Sequence, residues 1–254
     1  MMMKLRSILF VVAFNLGTFL QMIFWFPVYF FMPRHQGWKV VRTWGWISLW
    51  MQYLIVGTRF EFRGIENLPK GEGLLIGSKH QSTWETYTTL IFLEDPCYIV
   101  KRELMWLPFF GWFAAKMDII GVNRGKRSVA LKAMNEDAAE QIRQGRQIVI
   151  YPEGTRKKAF AEPAYKFGIA YMYENLDARV VPVALNSGIF WPRNSTRLYK
   201  GTCILELLPP IDQGLTIEEF SKNLEAQIEN KTAQLLKEGL ADPEFDGGDV
   251  FKGT

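Results

Sequence analysis

The sequence predicts an α/β fold: a single domain with a mixed, largely parallel central sheet covered by helices, preceded by an N-terminal two-helix membrane-anchoring arm. Three observations carry that prediction. After Gly57, short runs of β-like residues alternate with helical stretches, the pattern of a sheet whose faces are covered by helices. Before it, the chain is apolar and aromatic over long stretches. Charge divides near the same point: residues 1–60 contain no Asp or Glu but six bases, Lys4, Arg6, Arg34, Lys39, Arg42 and Arg59.

The rest of the chain therefore holds 24 of the 30 basic residues against all 26 acidic ones, so the basic balance belongs to the arm. This distribution argues against a nucleic-acid-binding face on the main domain. Cys97 and Cys203 lie far apart and outside any CxxC spacing, which argues against a disulfide framework and a zinc site. A length of 254 residues accommodates one substantial domain with an appendage. The boundaries read as 1–57 for the arm, 58–240 for the α/β domain and 241–254, rich in Gly and Asp, for a flexible tail.

In the arm, residues 7–33 carry no charge, and this stretch exceeds the roughly 20 residues that span a bilayer core. No short apolar core with a small-residue cleavage site marks it as a signal peptide. Residues 38–56 are also apolar; as a helix they place Lys39, Arg42, Trp46, Trp50 and Tyr53 on one stripe suited to lipid headgroups. Two arrangements fit. Either the first segment spans and the second lies at the interface, or both form a hairpin in one leaflet, shaped by Pro27 and the turn Pro33-Arg34-His35-Gln36-Gly37. Bases at both ends leave the positive-inside rule without a choice.

Beyond the arm, strands are predicted at 58–63, 73–77, 97–101, 118–122, 147–151, 180–185 and 203–208. Helices fill the gaps at 84–92, 128–144, 165–173 and 216–237. The last opens on the capping-box spacing Thr216-Ile217-Glu218-Glu219 and carries Ile217, Phe220, Leu224 and Ile228 along one face.

The sequence has only two histidines, His35 and His80. His80 lies between a predicted strand end and a helix start, where open α/β sheets place their sites. Glu85 follows five residues later; five helical steps rotate roughly 140°, so a continuous helix would not bring the two together. With His80 in a loop and the helix starting near Ser82, Glu85 can reach back, fix the ring tautomer and stabilise the imidazolium. Ser82-Thr83-Trp84-Glu85 is equally a capping box, so both roles stand open for Glu85. In Tyr151-Pro152-Glu153-Gly154-Thr155-Arg156 a strand runs into a loop with a Gly that admits close ligand approach and a guanidinium that matches phosphate. Lys101 and Arg124 lie at or just past other strand ends, and together these bases could converge on a phosphate.

Over roughly residues 73–188 the chain resembles the glycerolipid acyltransferases, above all the 1-acylglycerol-3-phosphate (lysophosphatidic acid) acyltransferases. Four blocks carry the resemblance in order: Lys79-His80-Gln81-Ser82-Thr83-Trp84-Glu85, residues 119–124 ending in Arg124, Glu153-Gly154-Thr155-Arg156, and Val181-Pro182-Val183. Lys79 stands where most members have Asn, and Glu85 where they have Asp. The resemblance implies direct transfer of a fatty acyl chain from acyl-CoA or acyl carrier protein to the free hydroxyl of lysophosphatidic acid, giving phosphatidic acid in phospholipid biosynthesis. His80 would be the general base and Glu85 its orienting partner. Lys101, Arg124, Glu153, Gly154, Thr155 and Arg156 would bind substrate. It implies no metal and no redox cofactor. The expected partners are membrane lipids, the lyso-phospholipid acceptor and the acyl thioester donor, and the expected location is a bacterial-type inner membrane with the site facing the cytoplasm. The absence of a GxSxG elbow agrees with direct transfer and leaves Ser82 as a cap. Alternatives are the same chemistry on glycerol 3-phosphate or a lyso-aminolipid, a thioesterase, and a non-catalytic membrane adaptor.

Overall fold

The computed structural model describes residues 2–123 and 127–251. Its strands are β1 (Thr58–Arg63), β2 (Leu74–Ser78), β3 (Pro96–Lys101), β4 (Ile120–Val122), β5 (Gln147–Ile150), β6 (Arg179–Leu185) and β7 (Gly201–Leu207). They form one seven-stranded sheet in the order β1-β7-β6-β2-β5-β3-β4. Every pairing is parallel except β6 with β7. The mixed, largely parallel sheet expected from the sequence is thus present, and each predicted run contributes one strand.

The central strands β2 and β5 are buried at every residue, as their continuous apolar runs require of a sheet covered on both faces. Their alternation divides the core in two. Leu74, Ile76 and Val149 face one cluster and Leu75, Ile148 and Val180 the other. The helices are α1 (Met2–Tyr29), α2 (Arg34–Val56), α3 (Trp84–Thr88), α4 (Phe110–Lys116), α5 (Arg127–Arg143), α6 (Gly168–Asn175), α7 (Ser187–Phe190) and α8 (Ile217–Ala241). The arm, α3 and the end of α4 cover the first face through Tyr29, Trp38, Leu49, Trp84, Tyr87 and Met117. Helices α5, α6 and the first half of α8 cover the second through Met134, Ile169, Phe220, Leu224 and Ile228. Helix α8 starts with the predicted capping box, Thr216 Oγ1 accepting from the Glu219 N–H while the Glu219 carboxylate accepts from the Thr216 N–H. Sequence periodicity missed α4 and α7, which are too short to display a helical stripe.

Helix α1 is long and apolar enough to cross a membrane, with a mean hydropathy of 1.9. It nevertheless lies along the domain. Near its start the Ser7 hydroxyl accepts from the Leu198 N–H (2.9 Å), and at its end the Tyr29 ring sits 4.4 Å from Phe113. Its other face leaves Ile8, Leu9, Val12, Leu16, Leu20 and Phe24 exposed. The stripe on α2 is partly redirected. Lys39 is exposed, but Arg42 donates to the carbonyls of Leu93 (2.7 Å) and Glu94 (2.5 Å), while Trp46 and Trp50 lean on Phe60. Carbonyls at a chain turn, and not lipid phosphates, take the Arg42 charge.

Arm and domain meet at Asp95. Its carboxylate accepts from Trp38 Nε1 (2.7 Å) and Arg34 Nε (3.1 Å) on α2 and from Arg146 Nε (3.1 Å) at the start of β5. Arg146 is fully buried and also donates to the carbonyls of Pro96 (2.8 Å) and Met117 (2.8 Å) and to the Gln141 side chain. The segment expected as a flexible tail is docked as far as it is described. Asp242 accepts from Thr202 N–H (2.8 Å) and pairs with Arg59, and Phe245 packs against Phe190 and Tyr199. The Gly/Asp composition of 241–254 concealed these anchoring contacts.

Replacing Arg146 with Leu strands two buried carbonyls and should cost about 3–5 kcal/mol. Thermal unfolding of the detergent-solubilised protein should show a large fall in Tm for Arg146→Leu. Arg143→Ala, which removes a surface pair with Glu140, should change stability by under about 1 kcal/mol.

Candidate active site

The chain leaves β2 at Ser78 and turns through Lys79, His80 and Gln81 before α3 begins. Glu85, in the first turn of α3, has no exposed surface and reaches back over this loop. Its Oε1 accepts from the N–H groups of Gln81 (2.7 Å) and Ser82 (2.6 Å) and from His80 Nδ1 (2.8 Å). Its Oε2 accepts from the Ser187 hydroxyl (2.7 Å), just past β6. The two roles open in the sequence are therefore filled by one carboxylate: it satisfies free N–H groups at a helix start and holds the imidazole. Ser82 is only half of a capping box, because its hydroxyl accepts from the Trp84 N–H (3.3 Å).

A carboxylate accepting three such bonds on one oxygen fixes His80 Nδ1 as the donor. Nε2 is then left with its lone pair, on a side chain that is 14% exposed. The imidazole lies flat on the Tyr151 ring, centroids 3.9 Å apart and planes 16° apart. Burial pushes the Tyr151 phenol well above its usual range, so this platform is uncharged.

Tyr151 opens the second loop, directly after β5, the strand beside β2. The Gly154 N–H bonds back to the Tyr151 carbonyl (2.8 Å) at a φ of 65°, and a Cβ there would meet Lys166 Nζ at 2.9 Å. Two bonds fasten this loop to the first: Arg156 Nη1 donates to Thr83 Oγ1 (2.9 Å) and the Lys157 N–H to the His80 carbonyl (2.7 Å). Arg156 is half-buried, and Thr155 is exposed beside it.

Glu153 does not face this opening. Its carboxylate turns inward to Lys79 Nζ (3.2 Å), which also donates to Glu229 on α8 (2.7 Å). Burial pushes the Glu153 carboxyl above the usual carboxylate range while the Lys79 charge pulls it back. Glu153, expected at the substrate, is thus buried and ion-paired with Lys79. The same cluster accounts for Lys79 where Asn is usual: this chain offers two carboxylates there.

Lys101, exposed, ends β3 on the same sheet edge. With β5 lying between β2 and β3, about 10 Å separates those two strands. Arg124 lies outside the described residues. Val181-Pro182-Val183 runs within β6, and the Val183 carbonyl accepts the Lys79 N–H (2.9 Å), which sets the height of the His80 loop. The Gln81 side chain accepts from the Gly188 N–H (3.0 Å), an approach that a Cβ at Gly188 would block. Sequence reasoning missed the roles of Ser187, Tyr151 and Glu229; Tyr151 stands in a recognised run, whereas nothing marked Ser187 or, on α8, Glu229. Among the described residues no cluster of His, Cys, Asp and Glu could hold a metal.

A base with a free lone pair, a carboxylate behind it and a guanidinium on the adjoining loop can take a proton from a hydroxyl near an anionic group. An acyltransferase family model matches residues 59–186, which contain all four blocks. A 1-acyl-sn-glycerol-3-phosphate acyltransferase of Pseudomonas aeruginosa is 30% identical, over 94% of this chain and 96% of its own. The human 1-acyl-sn-glycerol-3-phosphate acyltransferase alpha is 27% identical over 84% of this chain and 75% of its own. The crystal structure of the 1-acyl-sn-glycerophosphate acyltransferase PlsC from Thermotoga maritima superposes with a TM-score of 0.77 at 22% identity, over 92% of this chain and 98% of that one, showing the same fold. The chain belongs to the acyltransferase family.

Proposed function

We propose that the enzyme transfers a fatty acyl chain from acyl-CoA or acyl carrier protein to the free hydroxyl of lysophosphatidic acid, forming phosphatidic acid on the cytoplasmic face of a bacterial-type inner membrane. The observation that carries this reading is the His80–Glu85 pair, with Nδ1 committed to the carboxylate and Nε2 free beside the Arg156 loop. Nε2 takes the hydroxyl proton as the acceptor oxygen bonds to the thioester carbonyl carbon. The C–S bond then breaks, and the imidazolium returns the proton to the departing thiolate. Glu85 stabilises the imidazolium while it exists. Arg156, with Lys101 and Arg124, binds the acceptor phosphate. The exposed apolar face of α1 suits an enzyme whose acceptor and product both reside in lipid. The names of the similar bacterial and human proteins support this choice of acceptor.

His80→Ala should lower kcat by about 10²- to 10⁴-fold in a thioester-release assay with lysophosphatidic acid. Glu85→Gln separates charge from shape, since an amide oxygen can still accept the Oε1 bonds and Ser187 can reverse its own. Its kcat should fall about 10²- to 10⁴-fold with KM and Tm little changed; wild-type turnover would leave Glu85 only its capping role. Arg156→Ala should raise KM for lysophosphatidic acid about 10- to 100-fold. Its rate on the phosphate-free monoacylglycerol should stay at the wild-type level, and an equal loss on both acceptors would remove Arg156 from phosphate binding.

A further inference from the structure

Residues 102–116 have no part in the reaction described above. They follow Lys101 directly as a 3-10 turn (Arg102–Trp106), a corner and α4. The corner is built at Phe109, whose φ of 63° and ψ of −63° lie where side-chain-bearing residues rarely sit. Around this strained corner apolar side chains face solvent: Trp106 is 70% exposed, Trp112 50%, Leu107 49%, Phe110 39% and Leu104 37%. Five large apolar side chains exposed within nine residues mark an interaction surface.

Two features say what covers it. The patch is continuous with the arm: Phe109 touches Phe19 (5.7 Å) and Phe26 (6.0 Å), Trp112 touches Phe26 (6.0 Å), and Phe19 and Phe26 are themselves partly exposed. The flanking charges are Lys101, Arg102 and Lys116 against Glu103 alone, a balance that complements anionic headgroups. A helix apolar enough to enter a membrane, joined edge to edge with tryptophans and flanking bases, fits a leaflet and not a protein groove.

We propose that residues 104–112 form a second membrane-contacting element, inserted beside the arm into the headgroup and upper acyl region of an anionic phospholipid leaflet. By this contact the Lys101 end of the sheet sits at the depth of lipid phosphates, and the acceptor slides into the site without leaving the leaflet. The delivery half of the inference rests on the lipid-acceptor reading above.

The test uses the full chain in phosphatidylcholine–phosphatidylglycerol vesicles. Cys97 and Cys203 are buried, and burial pushes the Cys97 thiol up to about 11 and that of Cys203 well above its usual value, so a bimane label reacts selectively at Leu107→Cys. Lys222→Cys is the control, on the half of α8 that packs against the opposite face of the sheet from the arm. Brominated acyl chains should quench the label at 107 several-fold more than at 222; a label at 107 quenched only by aqueous iodide would overturn the proposal. Leu107→Glu should slow transfer to vesicle-borne long-chain lysophosphatidic acid about tenfold and leave the rate on a soluble short-chain analogue unchanged. Wild-type rates on vesicles, or an equal fall on both acceptors, would overturn the delivery claim. Failure of the acceptor assignment itself would show differently, as wild-type enzyme transferring to neither acceptor while bromolipid quenching persists.

Discussion

A carboxylate sealed from water is tolerated only where donors surround it, and at Glu85 that constraint organises the site. Its four donors come from the loop after β2, from the imidazole and from Ser187, the second residue past β6. Three of these bonds are local to residues 80–85, and the fourth, from Ser187, forms only when β2 and β6 are in register, so the geometry around the imidazole is completed by the tertiary fold. The sheet enforces the same register independently, since Ser78 pairs with Val183 and the Val183 carbonyl holds the Lys79 N–H. From there the order passes to the second loop through the Lys157–His80 and Arg156–Thr83 bonds. A guanidinium and a base that lie 76 residues apart in the sequence thus become neighbours (156 − 80).

Much of this was legible from the residues. The strands announced themselves by short apolar runs, except β1, which showed by the alternation of a half-buried edge strand, and the long helices by their repeating stripes. His80 stood out as one of two histidines, and Arg156 as a guanidinium at a strand end. What stayed hidden depended on distance in space. Arg146 is an ordinary base after a Gly in the sequence, yet it is buried and holds three carbonyls and Asp95. Glu153 looked like part of a ligand loop because its inward partner, Lys79, which also binds Glu229, comes from a separate element. Ser187 carries no local signal that it will meet Glu85. Arg42 sat on a stripe suited to headgroups, but the carbonyls of 93 and 94 lie closer.

The arm and the domain are one packed body. Asp95 receives Arg34 and Trp38 from α2 and Arg146 from the sheet, and Phe109 and Phe113 receive the end of α1. Such coupling fixes the orientation of the sheet relative to whatever surface the exposed face of α1 enters. An enzyme that draws its acceptor from a leaflet needs that fixed orientation more than it needs a deep enclosed cavity, because the lipid itself shields part of the substrate.

The central claim is that Glu85 sets His80 as a base with its lone pair on Nε2. With only two histidines in the chain, 15N NMR of histidine-labelled enzyme measures this directly, using His35→Gln to assign the remaining signal. At alkaline pH the account predicts a His80 ring carrying its proton on Nδ1, with Nε2 unprotonated. A ring protonated on Nε2 would contradict it.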